Sequence, residues 1–340
     1  MQTAAVDVSV LIPVLNEAGI IRDTAAWMLA QRYDGPIEYL FLDGGSTDGT
    51  QAILEELAAG DRRVRVLENP GRRQCRALNL GLREATGTFI ARMDAHTYYP
   101  PDYVARGVER LLRGDVTCVG GPQLPLGVGT WSRRIAAAMR SPLGVGGASF
   151  RRELEAEIET DTAFTGIWAR RTVEELGGWD EEALVNEDGE LAARIRARGG
   201  RIVCVPEMAA RCITRDSLRG LARQYYRYGW DRVRTLRSQP HAMRRSHVLP
   251  PSLVLLACAG AFAPGRTRSV ARVGIAGYAG SLAFEAARLS LNENQTDAAY
   301  APLALATMHF AWGCGFLVGC VRHGPPLAAL AGLARPKRTS

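Results

Sequence analysis

Lysine is almost missing from this 340-residue chain. Of 42 lysine and arginine side chains, Lys337 is the only lysine. The formal net charge of +7 is therefore arginine charge, and its meaning lies in where the arginines stand. Cysteine pairs are missing too. Cys75, Cys118, Cys204, Cys212, Cys258, Cys314 and Cys320 include no CxxC and no metal-ligand spacing. That argues against a zinc site and a disulfide framework, and suits small buried hydrophobes in a reducing cytosol. No internal repeat is present, which sets repeat architectures aside. No signal peptide is visible, since residues 1–7 run straight into a strand-like stretch. A disordered chain is excluded by 47% hydrophobic and 23% charged residues. The length suits one large α/β domain with an accessory region.

What is present first is an alternation. Residues 8–14 (VSVLIPV) form a wholly apolar run, the pattern of a strand buried on both faces of a parallel sheet. A helical pattern over 19–31 follows, then a strand at 37–42, a helix at 51–59, a strand at 64–67, a helix at 73–85 and a strand at 88–93. Strands alternating with helices of this length imply right-handed βαβ units and a mostly parallel sheet. Ligands then sit at the carboxyl ends of the strands. Glu17, Asp43 and Asp94 all lie at such ends, so they are expected to converge.

The strand at 88–93 delivers Asp94 and His96. Residues i and i+2 on an extended chain point to one side. The carboxylate and the imidazole are thus expected to share one divalent cation. Oxygen-rich chemistry favours Mg²⁺ or Mn²⁺, with the imidazole tilting towards Mn²⁺.

Downstream, a helix is expected after Asp102, then a strand over 116–120. Residues 141–161 are glycine-rich and then charged, and read as a mobile loop. A strand at 163–169 and a helix at 171–176, closed by Gly177-Gly178, come next. Asn186-Glu187-Asp188-Gly189-Glu190 opens a helix that runs to about Arg198 and stops at Gly199-Gly200. A strand at 202–205 precedes a long helix, 217–237. Arg215, Arg219, Arg223 and Arg227 are spaced four apart and share one helical face, either solvated or bound to diphosphate or anionic lipid.

Three apolar segments close the chain, at about 248–263, 270–287 and 301–321. Each is near the minimum spanning length of about 17–20 residues. Arginines flank all of them except the connector 291–300, which holds Glu293 and Asp297. Positive-inside logic puts that connector outside, making segments two and three a spanning hairpin. Segment one, opened by Pro250-Pro251, is expected in the interface or as a re-entrant element. Packing of all three as ordinary core helices is the alternative. Domain boundaries follow: 1–240 an α/β domain, 241–325 membrane-associated, 326–340 a basic tail. Asn294-Gln295-Thr296 matches a glycosylation acceptor, a pattern common by chance.

The motifs LIPVLNE (11–17), LDGGSTDGT (42–50), ALNLGL (77–82), ARMDAH (91–96), NEDGEL (186–191) and QYYRY (224–228) occur in that order. The ordered set resembles the family-2 inverting glycosyltransferases, over roughly residues 6–240. The stretches at 141–151 and 309–317 are similar to those of bacterial exopolysaccharide, succinoglycan-type glucosyltransferases. The resemblance implies a GT-A nucleotide-diphospho-sugar transferase fold, a Rossmann-like, mostly parallel sheet, with a hydrophobic helical C-terminal region at the membrane.

The same resemblance implies roles. Pro13 and Glu17 would contact the nucleoside, and Asp43 would accept from uracil N3–H. Arg73 would contact base or phosphate. Asp94 matches the metal-binding aspartate, with His96 where the family has a second acid. Asp188 matches the general base, preceded by Glu187. Gln224 and Arg227 match QxxRW, with Tyr228 in place of its tryptophan and Arg227 neutralising diphosphate. Capping competes for several of these: Asp43 and Asp48 can cap the helix after their loop, and Glu187 or Asp188 the helix that follows them. Trp179 reads as half core and half acceptor wall, and Tyr225 and Tyr226 as packing.

The implied activity moves a hexose, from UDP-glucose by family weight, to a polyprenyl-diphosphate-linked or polysaccharide acceptor. It works with Mg²⁺ or Mn²⁺ at the cytoplasmic face of the inner membrane. Membrane lipids are expected partners and nucleic acid is not; the C-terminal helices are a candidate homo-oligomer surface. The alternatives are a synthase that also exports its polymer and a non-catalytic nucleotide-sugar-binding scaffold.

Overall fold

A computed structural model describes residues 7–145, 149–182, 187–291 and 295–333. The expected helix-opening Asn186, the acceptor Asn294 and most of the basic tail lie outside them. The elements in chain order are β1 (Val8–Val14), α1 (Ile21–Leu29), β2 (Ile37–Asp43), α2 (Thr50–Gly60), β3 (Val64–Glu68), α3 (Gln74–Glu84), β4 (Phe89–Arg92), β5 (Thr97–Tyr98), α4 (Tyr103–Leu112), β6 (Cys118–Gly121) and β7 (Gln123–Leu126). There follow α5 (Thr130–Arg140), α6 (Pro142–Val145), β8 (Ile158–Glu159), β9 (Phe164–Ala169), α7 (Arg170–Glu175), α8 (Glu187–Ala197), β10 (Ile202–Cys204) and β11 (Ala210–Ile213). The rest is helical: α9 (Leu218–Ser238), α10 (Leu249–Phe262), α11 (Gly265–Leu289), α12 (Gln295–Ala299), α13 (Ala301–His323) and α14 (Leu327–Leu333).

Packing divides the chain into two compact units. One holds the residues up to Leu124 with Phe150–Cys212, and the other holds Pro125–Ser149 with everything from Ile213. The division is thus not at residue 240: α9 groups with the apolar helices, and so does α5, a helix in a stretch that the sequence pattern left unassigned.

The first unit is built on an eight-stranded sheet in the order β3-β2-β1-β4-β9-β6-β10-β8. β1 runs parallel to β2 and β4, β2 to β3, and β6 to β10, whereas β9 is antiparallel to both of its neighbours. The apolar run of β1 serves both faces. Val8, Val10, Ile12 and Val14 enter one core, and Leu11 enters the other with Leu40, Leu42 and Leu78. Each such side chain contributes about 1.5–3 kcal/mol when fully buried. Pro13 is tolerated mid-sheet because β4 pairs β1 only as far as Leu11. Leu11 accepts from Met93 N on that side, so the amide that Pro13 lacks would point past the end of β4.

The loops after β1 and β2 interlock. Asn16 N donates to Ser46 Oγ at 2.9 Å, and Thr47 N donates to Asn16 Oδ1 at 2.9 Å. Asn16 holds a left-handed φ of 55° there, a conformation that asparagine tolerates better than most residues. Strands β5, β11 and β7 form a second, small sheet in that order. The expected mobile loop 141–161 contains α6, a 3₁₀ turn at Ser149–Arg151 and β8.

In the second unit α9 and α13 pack side by side through glycines. A methyl on Gly229 would overlap the Trp312 carbonyl, and one on Gly315 would overlap the Tyr226 carbonyl. The four-arginine stripe shortens to three, because Ser217 caps α9 and leaves Arg215 outside the helix. The expected spanning hairpin needs two helices of spanning character. Among the described residues one helix, within Thr296–His323, is long and apolar enough to cross a bilayer. α11 carries Arg266, Arg268, Arg272, Glu285 and Arg288, and two of these, Arg272 and Glu285, fall within the expected second span.

Candidate active site

The end of β4 holds the site. Arg92 is the one charged side chain in that strand, and it is only 3% exposed. Its guanidinium gathers three acids. Nε and Nη2 lie 3.0 and 2.9 Å from Asp94 Oδ1. Nη1 lies 2.9 Å from Glu187 Oε1 and also donates to Asp188 Oδ1. Glu187 and Asp188 form the first turn of α8, where helix geometry favours negative charge. β4 and the start of α8 are thereby tied together by one buried cation.

Three carboxylates against one guanidinium leave an excess of negative charge in a place poor in water. Burial pushes the Asp188 carboxyl up to about 7; Arg92 pulls the other way, and Glu187 and Asp94 add to the upward push. An acid so poised is matched to general-base work near neutral pH.

The other predicted residues fall into three groups. Asp94 is fixed from several directions. Its amide donates to the Tyr99 hydroxyl at 2.8 Å, and Oδ1 also accepts from Gln74 Nε2 at 3.4 Å. Oδ2 takes no hydrogen bond from the described residues, so it is available to a ligand. Asp43 is buried, and both its oxygens accept from Ser46 N at 3.2 Å, with Ser46 Oγ adding 2.5 Å to Oδ1. A carboxylate has room for about four such bonds, so Oδ2 retains capacity for a base. Asp48 does not cap α2, whose N-cap is Gly49; it stands one residue earlier and accepts from Thr50 N and Oγ1 at 3.1 and 2.6 Å.

Arg73 turns to the loop before α8, donating to the Glu181 carbonyl at 3.1 Å and standing 3.9 Å from Glu182. Trp179 is core rather than acceptor wall, being 2% exposed and edge-on to Trp168 at 5.8 Å. Gln224, Arg227 and Tyr228 lie on α9 in the second unit, where Gln224 Nε2 donates to the Tyr228 hydroxyl at 3.0 Å.

His96 departs from expectation. The chain does not continue extended past Asp94: Thr97 N returns to Asp94 O at 3.1 Å, closing a turn. The i, i+2 rule for strands therefore does not apply. His96 Nδ1 faces Glu17 Oε1 at 3.3 Å instead. Burial alone would lower the imidazole, but Cys212, Glu17 and Asp94 outweigh it and hold His96 well above the usual histidine range.

A divalent cation of the kind that the resemblance implies is thus tested by two observations. No three His, Cys, Asp or Glu side chains cluster as ligands among the described residues. One carboxylate oxygen, Asp94 Oδ2, stays open. That fits a cation held by a single protein carboxylate together with donor phosphates and water, a common Mg²⁺ arrangement. His96 Nδ1 faces Glu17 at 3.3 Å, so a cation shared with His96 would have to be met by its other ring nitrogen.

Sequence reasoning passed over Arg92, although a lone arginine in an apolar strand was a readable signal. It also passed over Asn79. That buried amide accepts from Trp179 N at 2.8 Å and donates to Trp179 O at 2.9 Å, pinning the segment that leads towards α8.

Comparisons with known proteins bear on the family and the fold. A family model described as Glycosyl transferase family 2 matches residues 9–176. The chain is 30% identical over 318 residues to the succinoglycan biosynthesis protein ExoA of Rhizobium meliloti, covering 90% of this chain and 93% of that protein. It is 26% identical over 231 residues to a Methanococcus voltae dolichyl N-acetyl-alpha-D-glucosaminyl phosphate 3-beta-D-2,3-diacetamido-2,3-dideoxy-beta-D-glucuronosyltransferase, covering 65% and 71% of the two chains. Among solved structures, a mannosyltransferase from Pyrobaculum calidifontis in complex with GDP-Man and Mn²⁺ matches with a TM-score of 0.58 at 21% identity. The match covers 89% of this chain and 87% of that one and is a likeness of fold.

Proposed function

Because the chain belongs to glycosyl transferase family 2, we propose that it is an inverting hexosyltransferase of exopolysaccharide assembly. It takes its sugar from UDP-glucose and passes it to a hydroxyl of a polyprenyl-diphosphate-linked or polysaccharide acceptor. The observation that carries the reading is the single guanidinium of Arg92, which holds both Asp94 and Asp188. A donor-side carboxylate and a base stand in one rigid frame.

In the proposed reaction Asp188 accepts the acceptor hydroxyl's proton while that oxygen bonds to the anomeric carbon. The bond from that carbon to the diphosphate oxygen breaks, and the leaving group departs with the electron pair. One displacement inverts the centre. Arg92 keeps Asp188 oriented, and Glu187 keeps its basicity high. Asp94 is the residue that would hold Mg²⁺ or Mn²⁺, which supplies Lewis-acid neutralisation of the diphosphate when bound. Asp43, Glu17 and Pro13 line the nucleoside side by motif and by their place at the strand ends. Arg73, Gln224, Arg227 and Tyr228 are assigned to the donor by motif alone.

Membrane association, with catalysis at the cytoplasmic face, is part of the proposal. The apolar character of the C-terminal helices and the relatives in exopolysaccharide synthesis support it. A thermal-shift screen of nucleotide sugars with Mn²⁺ and Mg²⁺ tests the donor, because a ligand of the native state raises its melting point. The expected result is a shift with UDP-glucose that needs the cation. A cation-independent shift, or one confined to GDP-mannose, would overturn the assignment.

A further inference from the structure

We infer that the second unit seats in one leaflet of an anionic bilayer through the outward faces of α10 and α11, and does not span it. The inference rests on the membrane-association reading and settles its geometry.

The helix most suited to crossing is α13, and its neighbours forbid it. α9 lies along α13 from end to end. Leu221 and Tyr225 share a core with Ala304, Leu305 and Met308; Gly229 meets Trp312, Gly315 meets Tyr226, and Gly319 meets Trp230. α9 exposes Arg219, Arg223, Arg227 and Arg237 along that length. Were α13 to cross, those arginines would enter the hydrocarbon with it, among the costliest side chains to hold there. The connector before α13 is fastened as well. Asp297 stands 3.4 Å from Arg133 and 3.7 Å from Arg134, both on α5, and the Arg134 guanidinium lies 3.6 Å over the Tyr300 ring. α13 is a core helix of this unit, and its connector stays with α5.

The apolar surface left over is on α10 and α11. Val270, Val273, Gly277, Gly280, Phe284 and Ala287 recur at helical spacing, and all are exposed. Val273 and Phe284 are each 72% exposed, and on α10 Phe262 is 83% exposed. No charge interrupts this α11 stripe. At 14 residues α10 is about 21 Å long, short of the roughly 30 Å hydrocarbon core. Arginines gather where the two helices meet: Arg266, Arg268 and Arg272 are exposed, and Arg268 and Arg272 donate to the Ala263 and Gly260 carbonyls at 2.8 and 3.1 Å. An apolar stripe rimmed by cations matches acyl chains beneath anionic phosphates.

Two experiments on the full chain test this. The first is flotation with vesicles of phosphatidylcholine alone or mixed with phosphatidylglycerol. Binding is expected to the mixed vesicles only, and Phe262→Asp with Phe284→Asp should reduce it at least about tenfold with an unchanged melting curve. Both positions are exposed, and Val273→Asp is the substitute if that pair fails to fold. Equal binding by the variants overturns the proposed face.

The second experiment labels Leu291→Cys with an impermeant maleimide in sealed inverted and right-side-out membrane vesicles, against the unsubstituted chain as background. Reaction is expected from the side that labels Glu109→Cys on the sheet unit. Reaction from the opposite side only would establish a span and overturn the inference while sparing membrane association. A chain found only in the soluble fraction, binding no vesicle, overturns both. A stable lipid-free dimer dissociated by Phe284→Asp would give the face to a second copy instead.

Discussion

Arg92 and Asp188 are 96 positions apart in the chain, yet a guanidinium nitrogen of one donates to a carboxylate oxygen of the other. The strand that ends in Arg92 and the helix that begins with Glu187 are registered by that bond. Asp188, the proposed base, can therefore be tested separately from the frame that holds it.

Replacing Asp188 by Asn keeps the shape and removes the proposed base. Transfer should fall about 10²–10⁴-fold, the usual share of general-base catalysis. Donor affinity by isothermal titration should stay close to that of the parent. Turnover at the parental rate would remove Asp188 from the mechanism.

The pH profile follows from the cluster's charge. Asp188 is pushed up to about 7, and only its ionised form takes a proton. kcat/KM should therefore rise with pH through the neutral range. Glu187→Gln deletes a neighbouring negative charge, so Asp188 should ionise more easily and the acidic limb should move to lower pH. An unmoved limb would mean that another group titrates in the profile.

Arg92→Met strands three acids in a buried place. Breaking such a pairing typically costs about 3–5 kcal/mol, readable by urea denaturation. Glu187→Gln added to Arg92→Met should recover part of that loss, because one stranded charge is gone. Additive losses in the double variant would show that the two residues are not coupled.

Asp94→Ala removes the open oxygen Oδ2. Metal-dependent donor binding should disappear in titrations with Mn²⁺, while His96→Ala should leave much of it. The reverse order would restore His96 as the metal's ligand.

Gly315→Ala would ordinarily stabilise a helix by roughly 0.5–1 kcal/mol. Here the added methyl overlaps the Tyr226 carbonyl. The sign should reverse to a loss of about 1–3 kcal/mol, the cost of overpacking. Thermal unfolding of the full chain decides it.

Much of the molecule was legible without coordinates. Runs such as VSVLIPV carry their own burial pattern, and glycine pairs such as 177–178 and 199–200 mark where helices stop. Asp94 and Asp188 could be picked out by motif, because their neighbours in sequence are the motif. These are local properties, written in spacings of two to four residues. Three features were decided only by the tertiary structure. Arg92 became the hub because two elements remote in sequence close over it, and a charge's cost and partners are set by what buries it. His96 turned to Glu17 because a turn closes at Asp94 and ends the extended chain there. α13 reads as a membrane span by composition, but the helix packed along it carries arginines, and hydropathy summed over one segment cannot see its neighbour.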